Sequence, residues 1–184
     1  MLSKSMNKRI LNLGSGLKKN NNGIRLDINP KVNPDVIHDL NKFPYPFDDD
    51  YFDLITMDNV LGELDHMLKV MDEIYRILKA DGEVVISAPY FRSPYAFIHP
   101  NIKTFFTVKT FEYFDPNSEL FKKYKYTSST FQLTKLKFNE GFNSGVVKSI
   151  TRYIANKNPD LYERFLSQFI PLDAINFYLK KIKK

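Results

Sequence analysis

The sequence predicts an α/β fold, a mostly parallel sheet with an antiparallel C-terminal edge, and three observations carry that expectation. Short apolar runs closed by Gly, Asn or Pro recur through the first third of the chain. An amphipathic stripe then runs from Glu63 to Ala80 and passes directly into the β-branched segment EVVISAP. Near the end, FQLTKLKF and INFYLKKIK read as two strands joined by a connection, suited to an antiparallel edge.

Taken in order, Ile10 to Leu13, Ile24 to Ile28 and Val36 to His38 read as three short buried strands. NKFPYPFDDDYFD, with two prolines and four acids, reads as a surface loop leading to a fourth strand, Phe52 to Met57. Leu64, Met67, Leu68, Met71, Ile74, Tyr75 and Leu78 recur at helical spacing, and Asp81-Gly82 supplies the stop, with the glycine expected in a left-handed cap. FFTVKTFEYF is expected to be a short helix with inward aromatics, and LYERFLSQFI is expected to be helical. The polar stretch 139–160 is a candidate insertion, and residues 1–8 are expected to be flexible.

The chain has 184 residues, enough for one domain with a continuous core, and this single domain is expected to span 1–184. With 43% hydrophobic and 26% charged residues, 16 Phe and 11 Tyr, it has ordinary globular composition and large side chains to bury. It contains no cysteine, which excludes disulfides, a thiol nucleophile and cysteine-ligated zinc, and its 3 histidines lack ligand spacing, so no metal is expected. No apolar run reaches membrane-spanning length, and MLSKSMNKR lacks the apolar centre of a signal segment, so a soluble cytoplasmic protein without a membrane span is expected. The net charge of +6 gathers partly in KKYKY and KKIKK, read as solvated surface and a frayed tail.

The most informative stretch is ILNLGSGLKKNNNGIRLDIN. An apolar strand leads to Gly14, Ser15 and Gly16, and Asp27 closes the next strand, 11 positions after Gly16, where a dinucleotide fold expects roughly twenty. The crossover from Leu17 to Gly23 would span about 10 Å as a helix, against a strand of about 17 Å, so it must be largely irregular. Asn20, Asn21, Asn22 and Gly23 suit such a path, and Lys19 stands where a dinucleotide site needs its third glycine. Without a helix end to hold a diphosphate, the pattern fits a ligand with a base and a ribose but no phosphate, and S-adenosylmethionine has that description.

Together, ILNLGSG, RLDIN, DVIHDLN, PYPFDDDYFDLI and VMDEIYRILKADGEVVISAP resemble the small class I S-adenosylmethionine-dependent methyltransferases, in particular those with a shortened segment after the first glycine motif. The resemblance covers residue 9 to about residue 115, and YERFLSQFIPLDAINFYLKKIK is similar to the closing helix and strand of that group. It implies a Rossmann-like methyltransferase fold with a seven-stranded sheet, S-adenosyl-L-methionine as cofactor, and methyl transfer as the reaction. By motif, Leu13, Gly14, Ser15 and Gly16 would line the methionine and ribose, Asp27 would hold the ribose diol, and Ile28 would pack on the adenine. Asp39 matches the acid that receives the adenine amino group, Leu40 would form an apolar wall, and Asp58, Asn59 and Val60 would sit under the sulfonium.

The chain departs from the group at Asn59-Val60-Leu61-Gly62-Glu63, where relatives often carry His-Val-Leu-Glu-His, and in Ser15, where the first motif usually has Cys. The helix exit reads Lys-Ala-Asp-Gly in place of Lys-Pro-Gly-Gly. His99, in a segment after the fifth strand, is the candidate catalytic base, while His38 and His66 read as a packed strand residue and a surface residue. Tyr90, Phe91, Tyr95 and Phe97 are either an acceptor pocket or core packing. The methyl acceptor stays open among small molecule, sugar, protein and RNA. Two rivals stand beside the enzyme: a non-catalytic binding or regulatory protein of the same fold, and an NAD-dependent oxidoreductase, which the short crossover disfavours.

Overall fold

The apolar runs form strands, but Ile28 and His38 fall outside theirs and the third strand is not buried, with Ile37 exposed. The structure, a computed structural model, describes residues 8–17, 23–139 and 145–183. Its strands are β1 (Ile10–Leu13), β2 (Ile24–Asp27), β3 (Val36–Ile37), β4 (Phe52–Asp58), β5 (Leu78–Pro89), β6 (Phe131–Phe138) and β7 (Ala174–Lys181). They form a single seven-stranded sheet in the order β3-β2-β1-β4-β5-β7-β6. The first five are parallel, and β7 and β6 add the antiparallel edge. The crossover expected to be irregular at Leu17 to Gly23 lies mostly outside the described residues, as do Lys19 and residues 1–7 of the start expected to be flexible.

Alternation along the strands separates two unlike faces. Leu11 and Leu13 stand beside Ile55 and Met57, these beside Val84 and Ile86, and these in turn beside Leu179 and Phe177. All eight are buried and belong to one hydrophobic core. That face is covered by helix α1 (Met67–Ile77), whose Val70, Met71, Ile74 and Ile77 are each fully buried, worth roughly 1.5–3 kcal/mol apiece. The opposite face carries Asn12, Thr56, Val85, Ser87, Asn176 and Tyr178, and most of these stay partly exposed.

Handedness explains the difference. Right-handed crossovers place the β1-to-β2 and β2-to-β3 connections on one face and the β4-to-β5 connection on the other. Here the first of these lies largely outside the described residues, and the second holds only the 3-10 turn Pro30–Val32, none of whose residues is buried. Among the described residues the sheet is therefore clad on one side, and its second side is left polar.

The Pro-rich loop before β4 is pinned to α1 by a charged network. Arg76 donates from Nη1 to the Phe47 carbonyl (2.8 Å) and Asp49 (2.7 Å), and from Nη2 to the Tyr45 carbonyl (3.0 Å) and Glu73 (2.8 Å). The Tyr45 N–H donates to Glu73 at 2.7 Å, and its hydroxyl donates to the Leu40 carbonyl at 2.9 Å. Burial pushes the Glu73 carboxyl up, but hydrogen bonds from Arg76 and the Tyr45 N–H outweigh it and leave the pKa below the ordinary value.

Several expectations need correction. The stripe expected to be helical from Glu63 to Ala80 splits into a 3-10 turn (Leu61–Glu63) and α1, and Leu78 already pairs with Phe52 as the start of β5. Asp81, not Gly82, takes the left-handed conformation (φ 62°). Gly82 is required for close approach instead: a Cβ there would lie 2.7 Å from Leu78 Cγ. FFTVKTFEYF yields a 3-10 segment (Thr110–Phe114) that buries Phe111 and Phe114, and the expected helix at LYERFLSQFI is a short α5 (Pro159–Leu161) with a π-helical turn (Tyr162–Leu166). After helices α2 (Tyr95–Ile98) and α3 (Glu119–Tyr124), the stretch 139–160 contains helix α4 (Val146–Lys157), joined to β6 by Asn156 hydrogen bonds to both backbone groups of Phe138. The KKIKK run is not wholly a solvated tail, because Lys181 is buried and donates to Asp50 and to the Leu78 carbonyl, both at 2.6 Å.

Candidate functional site

The carboxyl ends of β1, β2 and β4 meet around Gly14. Its φ of +64° suits glycine, and a Cβ there would lie 2.3 Å from Val60 Cγ2, so conformation and space both demand a bare residue. Gly16 also has positive φ (+53°), but a Cβ there would meet nothing within 4 Å, so its α-carbon borders open space. Asp27 ties this loop to β2: Oδ2 accepts from the Gly16 N–H and Oδ1 from the Asn29 N–H, each at 2.8 Å. A carboxylate has about four lone-pair sites, so each oxygen can still accept from another donor.

Two cavities open on either side of Gly14. One, about 440 Å³, is lined by Asp27, Ile28, His38, Asp39, Leu40 and Val60, with Asn41, Glu63, Leu64, Asn101 and Lys103 at its sides. Ile28 is 62% exposed, an apolar side chain held out at the rim where a planar base could cover it. Asp39 accepts from the Asn41 N–H at 2.9 Å, and Asn41 accepts from the Asp65 N–H at 2.8 Å, which fixes the turn below the cavity. His38 engages the Lys42 carbonyl through Nε2 at 3.0 Å and meets Tyr45 edge-on.

The other cavity, about 680 Å³, is lined by Leu13, Gly14, Ser15, Gly16, Asp58 and Asn59, and extends over the polar sheet face along Asn12, Thr56, Val85, Ser87, Asn139 and Asn176. Asn59 adopts φ +57°, a conformation asparagine tolerates better than most residues, and donates its N–H to the Ser87 carbonyl at 2.9 Å. Its side chain donates to Asp58 at 3.1 Å.

The structure thus places every residue expected to bind cofactor on one cavity or the other, joined at Gly14. His99 lines neither. It lies exposed just after α2, with Nδ1 3.8 Å from Glu63 Oε1, a residue that does line the smaller cavity. Tyr90 is fully buried against Phe138 and Tyr162, and is therefore core. Gly62, the departure from the expected Glu-His pair, sits against the returning chain: its carbonyl accepts from Lys103 (2.7 Å) and Thr104 (3.1 Å), and a Cβ would stand 3.1 Å from the Thr104 carbonyl. Sequence reasoning missed Asn12 and Asn176, although a lone polar residue between Leu11 and Leu13 is a readable signal.

Among the described residues, no helix is long and apolar enough to cross a membrane, and no group of three or more His, Asp or Glu is placed to hold a metal ion.

Residues 18–86 match a family model described as a methyltransferase domain. Among solved structures, an S-adenosylmethionine-dependent methyltransferase from Archaeoglobus fulgidus aligns with a TM-score of 0.57 and 17% identity over 95% of this chain and 86% of that one. One from Mesorhizobium loti aligns at 0.59 and 14% identity, over 98% and 94%. The complex of the Haloferax volcanii Trm112 methyltransferase activator with its methyltransferase gives 0.62 and 14%, over 96% and 84%. At these identities the likeness is one of fold. No curated protein sequence matches the chain. The family-model match over residues 18–86 and the strand order agree in likening the chain to S-adenosylmethionine-dependent methyltransferases, whose fold it shares.

Proposed function

We propose that this chain, acting as one domain in the cytoplasm, binds S-adenosylmethionine across Gly14 and transfers its methyl group to an acceptor. The observation that carries this reading is the pair of cavities joined at Gly14, with the Asp27 carboxylate in one, Ser15 and Gly16 in the other and Gly14 bordering both. The residues fit the cofactor. Asp27 and Asp39 offer acceptors to a ribose diol and an adenine amino group, Ile28 and Leu40 offer apolar walls, and Gly16 leaves room for close backbone approach. Leu13, Ser15, Asp58, Asn59 and Val60 would enclose the methionine arm, where a carboxylate favours a cationic sulfur.

When bound, the cofactor supplies an activated methyl group. The chain's own task is then alignment, because an in-line displacement gains mainly from holding the nucleophile on axis. His99 can serve as a base only for an acceptor approaching over Glu63, outside both cavities.

Titration calorimetry with S-adenosylmethionine, S-adenosylhomocysteine and NAD tests the reading. Saturable binding of the first two supports it, and preference for NAD would replace it with the oxidoreductase. A second reading, a non-catalytic binding protein, draws support from Gly62 and from the engagement of His38, the only histidine lining either cavity among the described residues, with the Lys42 carbonyl. Binding without turnover across a broad acceptor screen would favour it.

A further inference from the structure

The larger cavity has a polar floor that runs past Ser15, where the methionine arm would lie, to Asn12 and Asn176. Asn12 Nδ2, Ser15 Oγ and Asn176 Oδ1 are buried without a hydrogen-bond partner among the described residues, and all three residues line this one cavity. Asn12 and Ser15 are only 8% and 9% exposed, so bulk water does not readily compensate them. An unmet buried polar group is destabilising, and the two beyond the methionine arm, on Asn12 and Asn176, call for a ligand that satisfies them. Among the described residues no α-helix of the first crossovers covers that sheet face, so its strand residues are open to a small molecule.

We propose that this polar floor is the acceptor subsite, and that its occupant is a neutral sugar presenting a hydroxyl group to the methyl donor; the proposal rests on the methyltransferase reading above. The chemistry of the wall selects the class. Carboxamides of Asn12, Asn139 and Asn176 and hydroxyls of Thr56 and Ser87 each donate and accept, as sugar hydroxyls do. No lysine, arginine or histidine lines the cavity among the described residues, so an anionic acceptor finds no counter-charge there. Among the described residues no aromatic side chain lines it either, so an unpaired nucleobase finds no stacking platform there. At about 680 Å³ the space admits a methionine arm and a pyranose ring together.

Asp58 is the one charged side chain on that wall among the described residues, at the end nearest Gly14. In the transfer, the sugar oxygen forms a bond to the methyl carbon while the carbon–sulfur bond breaks. Sulfur keeps that electron pair and becomes a neutral thioether, and the hydroxyl proton passes to the Asp58 carboxylate.

Saturation-transfer NMR with the methyl α-glycosides of glucose, galactose and mannose, with and without S-adenosylhomocysteine, tests the site; an oligouridylate is the comparison ligand. At least one glycoside should receive saturation, and Asn176→Leu should reduce its signal at least ~10-fold while S-adenosylhomocysteine affinity, measured by calorimetry, stays within ~2-fold. Because Asn176 Oδ1 has no partner to lose, that variant should not melt at a lower temperature; a fall would mark the carboxamide as structural and overturn the proposal. Ser87→Val provides an independent variant with the same expected loss. Silence from all three glycosides, undiminished signal in both variants, or oligouridylate binding that both variants abolish would each overturn the sugar assignment. Glycoside binding without S-adenosylhomocysteine binding would leave the subsite standing and remove the cofactor reading instead.

Discussion

Replacing Asp27 separates two effects that the geometry superimposes. Its carboxylate anchors the glycine loop through the Gly16 N–H and its own turn through the Asn29 N–H, each at 2.8 Å, and, on the proposed reading, also receives the ribose hydroxyls. A hydrogen bond to a charged group contributes about 1.5–3 kcal/mol. Asp27→Ala removes the ribose contact and frees the Gly16 N–H, so S-adenosylhomocysteine affinity should fall by at least that amount, about 10-fold to more than 100-fold. Asp27→Asn retains one acceptor oxygen. It should hold either the loop or the ribose, but not both, and lose about 1.5 kcal/mol, the lower end of that scale. Calorimetric titration reads the affinity, and a thermal melt reads the loop anchorage. A folded Asp27→Ala protein with wild-type affinity would remove the acid from the site and the ribose argument with it.

Other perturbations test the scaffold. Gly14→Ala should destabilise the fold by about 1–3 kcal/mol in urea titration, through a clash with Val60 and a positive φ, and Gly14→Ala with Val60→Ala should recover part of the loss. Arg76→Leu should unpin the loop of Tyr45 and Phe47 and cost about 1–3 kcal/mol, since several carbonyl and carboxylate acceptors lose a donor at once. Glu73 titrates below its ordinary value when folded, so its stabilisation is complete above the unfolded value of about 4.3 and disappears as pH falls through the folded one; Glu73→Gln should flatten that acid limb of a melting-temperature profile. Burial pushes the hydroxyls of Tyr45 and Tyr90 well above the ordinary value and that of Tyr162 up to about 12. Their contribution is therefore present below an unfolded pKa of about 10 and is lost as pH rises through the folded values, and tyrosinate absorbance from these three should appear together with unfolding. Ionisation of all 11 tyrosines with the circular dichroism unchanged would contradict this.

What was readable in the sequence was whatever local pattern decides. Period-two alternation located β6, and apolar runs located β1 and β4, because each signal lies within one strand. Gly14 and Asp27 were readable because residue type and spacing together specify a tight turn and an acid beside it. Leu78 was misplaced on the helix because it continues the apolar stripe, yet pairing with Phe52 draws it into β5, a contact across 26 positions that no local pattern displays. Asn12 and Asn176 come together only through the strand order, three neighbours apart in the sheet and 164 positions apart in sequence. Helix α4 escaped notice because Val146, Val147, Ile150 and Tyr153 face outward while Thr151 and Ala155 face the core, the reverse of the usual stripe.

The outer margins of the sheet have a consequence for how this protein behaves at high concentration. One margin, β3, is only two residues long, and the other, β6, carries Lys135 and Lys137 and breaks register between Leu133 and Lys135. An incoming strand from a neighbouring molecule would find too little ladder on one side, and on the other a twist flanked by repelling ammonium groups. Replacing those two lysines with threonine would leave the fold intact while inviting lateral self-assembly, visible as light scattering that grows with protein concentration.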